Sequence, residues 1–223
     1  MPSQISPAWN TPAHLVSNRQ VKPADLSTEV DITIKSPLLF EMLNKVSQEK
    51  KNIILDISQA NRSSLEFFSD TWCKLYFTNS ITEISKLETS SINTAHKWHR
   101  ALVKSVGFYK NDKTDIDMIL LWGLPNYLSK DQLKGLSSYL LPQCSKNTYL
   151  HMYIFNSEFM SRLPANYKIH NKNSVSIKPQ NVSDEIVCPM YHLTNLQKYL
   201  APFTLDHSVM LSSGIQEYIF KLS

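Results

Sequence analysis

The stretch Asn52-Ile-Ile-Leu-Asp56-Ile-Ser-Gln-Ala-Asn-Arg62 decides the fold class of this chain. Its first half is a short apolar run that ends in an acidic residue, a pattern typical of a buried strand. Polar turn residues follow, and the next segment carries the apolar residues Leu65, Phe67 and Phe68 of a predicted helix. The sequence therefore predicts a strand, a turn and a helix in direct succession.

The same alternation continues on both sides of this unit. Ser36 followed by Pro37 is typical of the first turn of a helix, which we predict from residue 36 to about residue 50. Further strands are predicted at residues 74–78, 117–122 and 148–155, and further helices at residues 81–106 and 129–141. This alternation favours a mostly parallel sheet with helices on both faces.

The end of the chain breaks the alternation. Two strand-like runs, residues 203–211 and 215–222, are joined only by Ser212-Ser-Gly214. Such a short connection permits only an antiparallel hairpin. We therefore expect the parallel sheet to close with two antiparallel strands.

The composition is that of a soluble globular protein. Of 223 residues, 42% are hydrophobic and 19% are charged, and we expect no membrane insertion because no uncharged run is long enough to span a bilayer. The formal charge of +4 includes only four arginines, the residue type preferred for phosphates and base edges, so we expect no nucleic acid partner. The three cysteines are far apart, which argues against a disulfide framework or a zinc site. Residues 1–20 show no secretory signal, and a reduced, cytoplasmic protein is expected.

Two regions are predicted. Residues 1–35 contain four prolines among polar residues, which predicts an irregular arm that ends in an extended piece at residues 30–34. Residues 36–223 form the α/β domain. Such an arm is suited to wrapping the domain or to becoming ordered on a partner.

The order of these elements resembles that of the class I S-adenosylmethionine-dependent methyltransferases, whose seven-stranded sheet closes in an antiparallel C-terminal hairpin. The resemblance covers residues 36–223 and rests on four placements. Residues 53–56 resemble the first strand of that family, residues 74–79 the second, residues 117–127 the fourth, and residues 203–222 the closing hairpin. It implies a Rossmann-like fold with a cofactor loop directly after the first strand.

The loop itself departs from the family pattern. In the family the first strand runs into D-x-G-x-G-x-G, whose glycines let the backbone pass close under the cofactor. Here Asp56 matches the acidic position, but Ser58, Ala60 and Arg62 fill the three glycine positions. Each side chain adds volume, and any position that required a positive φ would carry strain of about 1 kcal/mol or more. Arg62 is predicted to be the largest obstruction.

Two further positions complete the comparison with the family. The acidic residue that grips the cofactor ribose at the end of the second strand is replaced by Asn79, which lacks the charge and the paired acceptor oxygens. After the fourth strand, Trp122-Gly-Leu-Pro-Asn-Tyr127 loosely resembles the N-P-P-Y loop of amino-group methyltransferases. This segment is interpreted either as the wall of a residual pocket or as an apolar strand end followed by a helix start that contains a proline. We therefore expect a vestigial cofactor pocket formed by Asp56, Ser58, Ala60, Arg62, Asn79 and Trp122.

These departures favour a non-catalytic, methyltransferase-like protein without a cofactor. We expect it to act through protein-protein interaction, as an accessory or adaptor subunit of a bacterial assembly, and self-association stays open. The bacterial assignment rests on a bias to Lys and Asn over Arg. One alternative is an active S-adenosylmethionine-dependent methyltransferase with a divergent loop, and another is a protein that binds a different small molecule in the remodelled cleft.

No catalytic residue and no metal site are predicted. His96 and His99 have the i, i+3 spacing that can present two imidazoles to a metal ion, but no third ligand lies nearby in sequence. A solvated helix face is the favoured interpretation of this pair.

Overall fold

The computed structural model describes residues 31–45, 49–85, 95–106 and 115–223. The strands are β1 (Ile32–Lys35), β2 (Asn52–Asp56), β3 (Cys73–Phe77), β4 (Ile116–Trp122), β5 (Cys144–Ile154), β6 (Phe159–Asn171), β7 (Ser174–Val187), β8 (Phe203–Met210) and β9 (Gln216–Leu222). The helices are α1 (Pro37–Asn44), α2 (Arg62–Ser69), α3 (Ser80–Ser85), α4 (Ala95–Val106), α5 (Lys130–Leu140) and α6 (Leu193–Tyr199).

The larger sheet has the strand order β3-β2-β4-β5-β9-β8. Its first four strands are parallel, and the β8–β9 hairpin closes it in antiparallel fashion. All five residues of β2 are buried, as expected for a strand with both faces covered. The α/β, Rossmann-like fold and the closing hairpin are thus confirmed.

The number of strands differs from the prediction. Within the described residues the larger sheet has six strands instead of seven, and none of them pairs with the outer edge of β3. Residues 159–187 add no strand to it, because β6 and β7 pair with each other over most of their length.

These two strands belong to a second, antiparallel sheet of order β1-β7-β6. The turn of the β6–β7 hairpin is held by the side chain of Asn171, whose Oδ1 accepts hydrogen bonds from the backbone N–H of Asn173 at 2.9 Å and from the Ser174 hydroxyl at 3.1 Å. Strand β1, at the end of the predicted arm, pairs with β7. Residues 1–30 of that arm lie outside the described residues.

The predicted helices are found with altered bounds. Helix α1 begins as predicted and ends at Asn44, earlier than residue 50. The helix predicted over residues 81–106 is represented by α3 and α4, and residues 86–94 lie outside the described part. Helix α5 begins with a capping box in which the Ser129 and Gln132 side chains each bond the other residue's backbone N–H. In the described ranges, no helix has both the length and the hydropathy needed to cross a membrane.

Candidate functional site

Asp56 lies at the carboxyl end of β2 and is fully buried. Its Oδ1 atom accepts hydrogen bonds from the indole N–H of Trp122 at 2.7 Å and from the backbone N–H of Ser58 at 2.8 Å. Its Oδ2 atom is buried without a hydrogen-bond partner in the described part of the chain. Burial raises the pKa of Asp56 from 3.8 to about 6, and the hydrogen bonds from Trp122 and Ser58 only partly oppose this rise. The carboxyl group therefore faces the protein interior.

The turn after β2 is hydrogen-bonded to the start of α3 and to the residue before it. The carbonyl of Ile57 accepts hydrogen bonds from the backbone N–H groups of Ser80 at 2.9 Å and Ile81 at 3.0 Å. The carbonyl of Ser58 accepts another from the backbone N–H of Asn79 at 3.1 Å. The backbone of this turn is therefore held by the protein itself.

The three residues that replace the family's glycines behave differently from the prediction. Ser58 is buried, whereas Ala60 and Arg62 are exposed. None of the three has a positive φ, so the expected strain is not incurred.

Arg62 does not fill the cleft, and the prediction that it is the largest obstruction was wrong. Asn61 caps α2, because its Oδ1 atom accepts a hydrogen bond from the backbone N–H of Ser64 at 2.9 Å. Arg62 is then the first residue of the helix, and its side chain pairs with Glu66 one turn later at 2.7 Å. The Arg62 side chain is 91% exposed.

Two residues at this edge of the sheet have a left-handed backbone, Asn79 with φ of 51° and Trp122 with φ of 50°. Asparagine tolerates this conformation, whereas a bulky residue there costs about 1–3 kcal/mol. Asn79 is exposed, but Trp122 is fully buried and held by its bond to Asp56. The strain thus lies at the end of β4, not in the turn after β2.

The second sheet fills the space above the carboxyl ends of β2 and β4. Tyr167 of β6 stacks on Trp122, with ring centroids 5.0 Å apart and ring planes inclined by 12°. The backbone carbonyl of Tyr167 accepts a hydrogen bond from the Asn61 side chain at 3.1 Å. Its hydroxyl lies against Gly123, where any Cβ would overlap it. Tyr167 therefore reaches from the turn after β2, where the resemblance implies the cofactor loop, to the turn after β4.

Further hydrogen bonds tie β6 to α2. The Ser63 hydroxyl donates to the backbone carbonyl of Ile169 at 2.6 Å, and the backbone N–H of Ile169 donates to the Ser64 hydroxyl at 3.4 Å. Ile169 is fully buried by these contacts. Tyr167 and Ile169 were not predicted to contribute to the site, although their alternation with polar residues is a strand pattern.

The segment from Trp122 to Tyr127 forms connections within the protein. The buried Asn126 side chain donates to the carbonyls of Gly123 at 2.9 Å and Tyr153 at 3.0 Å, and it accepts from the backbone N–H of Phe155 at 2.9 Å. The Tyr127 hydroxyl donates to two backbone carbonyls of β6. This segment therefore links β4 to β5 and β6.

A second buried carboxylate, Glu217 of β9, was also not anticipated. Its Oε1 atom accepts hydrogen bonds from the Ser36 hydroxyl at 2.6 Å and the backbone N–H of Leu39 at 2.9 Å, and it lies 2.9 Å from Nε2 of His151. Burial raises the pKa of Glu217, but its hydrogen bonds with His151 and Ser36 and the charge of His151 outweigh this, so the net pKa is lowered. Glu217 therefore supplies the N-terminal cap of α1, while Ser36 donates to it.

Two cavities bear on whether a cofactor can be held. A cavity of about 240 Å³ lies between the turn after β2 and the β6–β7 hairpin, below the roughly 300–1,000 Å³ common for small-molecule sites. It is lined by Gln59, Ala60, Asn61, Asn166, Tyr167, Lys168 and Lys178. A groove of about 1,100 Å³ lies at the amino ends of β2 and β3, with Phe40, Phe67 and Trp72 in its walls. The adenosyl cofactor implied by the resemblance therefore does not fit at the carboxyl ends of the strands, where the cavity has a volume of about 240 Å³.

The structure offers no metal site in its described ranges, where no three His, Cys, Asp or Glu side chains are grouped to hold an ion. The side chains of His96 and His99 lie outside the described residues. Cys73, Cys144 and Cys188 are not joined by disulfide bonds.

Comparison with known proteins concerns the fold alone. No protein-family model matches the chain, and no curated protein matches it. An S-adenosylmethionine-dependent methyltransferase from Clostridium acetobutylicum is 12% identical, with a TM-score of 0.47 over 82% of this chain and 90% of that chain. A methyltransferase of the same kind from Methanosarcina mazei is 10% identical, with a TM-score of 0.45 over 86% and 99%. The 1,6-didemethyltoxoflavin-N1-methyltransferase of Burkholderia thailandensis is 10% identical, with a TM-score of 0.44 over 84% and 76%.

The four strand placements that carry the resemblance all occur in the structure, as β2, β3, β4 and the β8–β9 hairpin. They lie in one mostly parallel sheet with helices between its strands. The chain therefore has an α/β, Rossmann-like fold.

Proposed function

We propose that this chain is a non-catalytic, methyltransferase-like protein of the bacterial cytoplasm that acts as an accessory or adaptor subunit by binding another protein. The observation that carries the proposal is the stack of Tyr167 on Trp122, which occupies the place of the cofactor with the protein's own side chain. On this view Asp56, Ser58, Ala60, Asn79 and Trp122 mark a vestigial pocket, whereas the exposed Arg62 side chain does not contribute to it.

The chemistry of the remaining groups supports this proposal. The buried Asp56 carboxyl is engaged by Trp122, and Asn79 supplies no carboxylate for a ribose. A ligand would have to displace Tyr167 and break the hydrogen bonds that hold β6 to α2. The loss of those contacts would be subtracted from any affinity for the cofactor.

An exposed apolar edge supports the interaction role. It consists of Phe159, Val187, Met190 and Met210, which are four of the seven large hydrophobic side chains that are exposed in the described residues. Phe159 and Val187 face each other across the β6–β7 ladder, and Met190 and Met210 line one cavity of about 260 Å³. Grouped exposed hydrophobic residues are typical of protein interaction surfaces, and methionine adapts readily to a partner.

Titration calorimetry on the full chain tests the absence of cofactor binding. We expect no binding of S-adenosylmethionine or S-adenosylhomocysteine at ligand concentrations up to about 1 mM. Micromolar binding by the wild-type chain would contradict the proposal. Transfer of a labelled methyl group from the donor to any acceptor would support the alternative, an active S-adenosylmethionine-dependent methyltransferase with a divergent loop.

Affinity capture from native lysate of the source cells tests the interaction role. We expect a partner that is retained by the wild-type chain and lost from a Met190→Glu, Met210→Glu double variant, because two carboxylates would be buried in the interface. Leu65→Glu is the matched control, since Leu65 is an exposed apolar residue of α2 that neither lines the Met190–Met210 cavity nor pairs in the β6–β7 ladder. A wild-type chain that is recovered alone at every salt concentration would count against the proposal.

A further inference from the structure

A continuous series of contacts joins Asp56 to the second sheet. The carboxyl accepts a hydrogen bond from the indole of Trp122 at 2.7 Å, and the same indole stacks on Tyr167 of β6. The Asp56 side chain is fully buried and its Oδ2 atom has no hydrogen-bond partner in the described residues. A change in the charge of the Asp56 carboxyl therefore occurs next to the contact between the two sheets.

In the part of the chain that the structure describes, no cation is hydrogen-bonded to Asp56. His151 of β5 acts on it through its charge, but the Nε2 atom of His151 lies on Glu217 of β9. Tyr153 of β5 and Tyr167 of β6 approach through the Trp122 ring, and the pKa of each tyrosine is raised by burial. On α2 the charged side chains Arg62 and Glu66 are exposed and paired with each other, and Glu83 is the acidic residue in the first turn of α3. Among the described residues, an ionised Asp56 therefore has two neutral donors as hydrogen-bond partners, Trp122 and Ser58.

At this edge the second sheet is attached by the buried side chains of Tyr167 and Ile169, which belong to the common core, and by hydrogen bonds that water can replace. These hydrogen bonds run from Asn61 to the Tyr167 carbonyl, between Ile169 and the hydroxyls of Ser63 and Ser64, and from the Tyr127 hydroxyl to two backbone carbonyls of β6. The β6–β7 ladder is internal to the sheet and need not break when the sheet separates from α2. Separation would admit water to the Asp56 carboxyl.

We propose that the second sheet is a pH-sensitive cover over the carboxyl edge of the larger sheet, and that ionisation of Asp56 loosens it. A buried carboxylate without a cation is costly, and opening relieves this cost by hydrating it. The proposal deepens the proposed function, and rests on it, because it names what regulates the closed cleft. It is tested without any cofactor, so its failure is separate from failure of the binding prediction.

The direction of the effect follows from the raised pKa. Burial raises the pKa of Asp56 from 3.8 to about 6 in the closed state, whereas the hydrated carboxyl of the open state titrates near its ordinary value. The ratio of the open to the closed population therefore rises about tenfold for each pH unit between about pH 4 and about pH 6. Above this range the ratio levels off. From pH 5 to pH 7.5 the opening constant should rise about tenfold.

Hydrogen exchange of the full chain, followed by mass spectrometry and corrected for the intrinsic exchange rate, measures this opening. In the wild-type chain we expect the opening constant of the β6 amides to rise about tenfold from pH 5 to pH 7.5, with no change in β9. In Asp56→Asn the same amides should change by less than about twofold, because the amide does not titrate. Asp131→Asn is the matched control and should follow the wild type, since the Asp131 side chain is 74% exposed.

An equal rise in Asp56→Asn and the wild type would overturn the proposal, and so would a wild-type chain whose β6 amides show no pH dependence. If Asp56→Asn does not fold, the pH dependence of the β6 and β9 amides in the wild-type chain decides alone. A rise confined to β6 supports the cover, whereas an equal rise in β6 and β9 means that pH acts on the whole fold and overturns it.

Discussion

Glu217 connects three parts of the structure through one carboxylate. It accepts hydrogen bonds from the start of α1, meets His151 on the neighbouring strand, and is itself fully buried on β9. Ser36 also lies 2.7 Å from the hydroxyl of Tyr153, so the network continues towards Trp122. A buried carboxylate is tolerated here because donors and an imidazole surround it.

We expect Glu217→Gln to lower the free energy of unfolding by about 1–3 kcal/mol, since a neutral amide replaces the charged acceptor of the hydrogen bonds from the Ser36 hydroxyl and the Leu39 N–H. Urea denaturation at pH 7 measures the loss. Glu158→Gln, at an exposed position after β5, is the control and should change stability little. A loss of equal size in both variants would contradict this role of Glu217.

The same carboxylate predicts an acid limit to stability. The pKa of Glu217 is lowered in the folded protein, so its contribution is present above the unfolded value of 4.5 and is lost as the pH falls through the folded pKa. In Glu217→Gln this part of the acid sensitivity should be absent. Urea midpoints collected from pH 7 downwards test it, and parallel curves for variant and wild type would count against it.

At the scale of elements, the contact between α4 and α5 depends on a glycine. Gly135 lies in the middle of α5, and a Cβ there would overlap the indole of Trp98 on α4. Trp98 is buried and donates a hydrogen bond from its Nε1–H to the backbone carbonyl of Gln132 at 3.1 Å. The two helices can therefore approach closely only because residue 135 has no side chain.

We expect Gly135→Ala to destabilise the protein by about 1–2 kcal/mol, although alanine favours a helix over glycine by about 1 kcal/mol. The clash with Trp98 must exceed the gain in helix propensity. Ser138→Ala, on the exposed face of the same helix, should leave stability unchanged or slightly higher. Thermal unfolding followed by circular dichroism measures both, and a more stable Gly135→Ala would show that the indole moves aside.

The elements that were predicted correctly are those with uninterrupted local patterns. The run Ile53-Ile-Leu55 identifies β2, and the short connection Ser212-Ser-Gly214 identifies the closing hairpin. The β6–β7 hairpin was missed because Pro164 and Pro179 interrupt its alternation and coincide with irregular pairing. Its apolar alternation on both sides of residues 171–174 was a usable signal.

The candidate site was harder to predict than the fold. The loop residues that differ from the family could be read directly from the sequence, but what occupies the cleft could not. Tyr167 follows the turn after β2 by about a hundred residues and reaches Trp122 only through the topology of the second sheet. Arg62 was misjudged because its position in the helix, not its size, decides where its side chain points.

At the scale of the whole molecule, the two sheets share one core. Tyr167 and Ile169 of the second sheet and Trp122 of the larger sheet belong to the same cluster of buried residues. The hydrogen bonds from α2 to β6 add to this contact. Neither sheet therefore has a separate core of its own at this edge.

We therefore expect the described domain to unfold in urea as one cooperative unit at pH 5. Tryptophan fluorescence, which reports on the buried Trp122, and far-ultraviolet circular dichroism should give coincident transitions. Two separated transitions would mean that the second sheet unfolds independently.

The cap that Glu217 provides for α1 also bears on how the polypeptide matures during translation. The groups it joins are 178 to 181 positions apart in the chain, so the first helix leaves the ribosome long before its acceptor has been made. Until β9 emerges, the start of that helix must be solvated by water or held by a chaperone. The native cap of α1 can therefore form only after synthesis has passed residue 217.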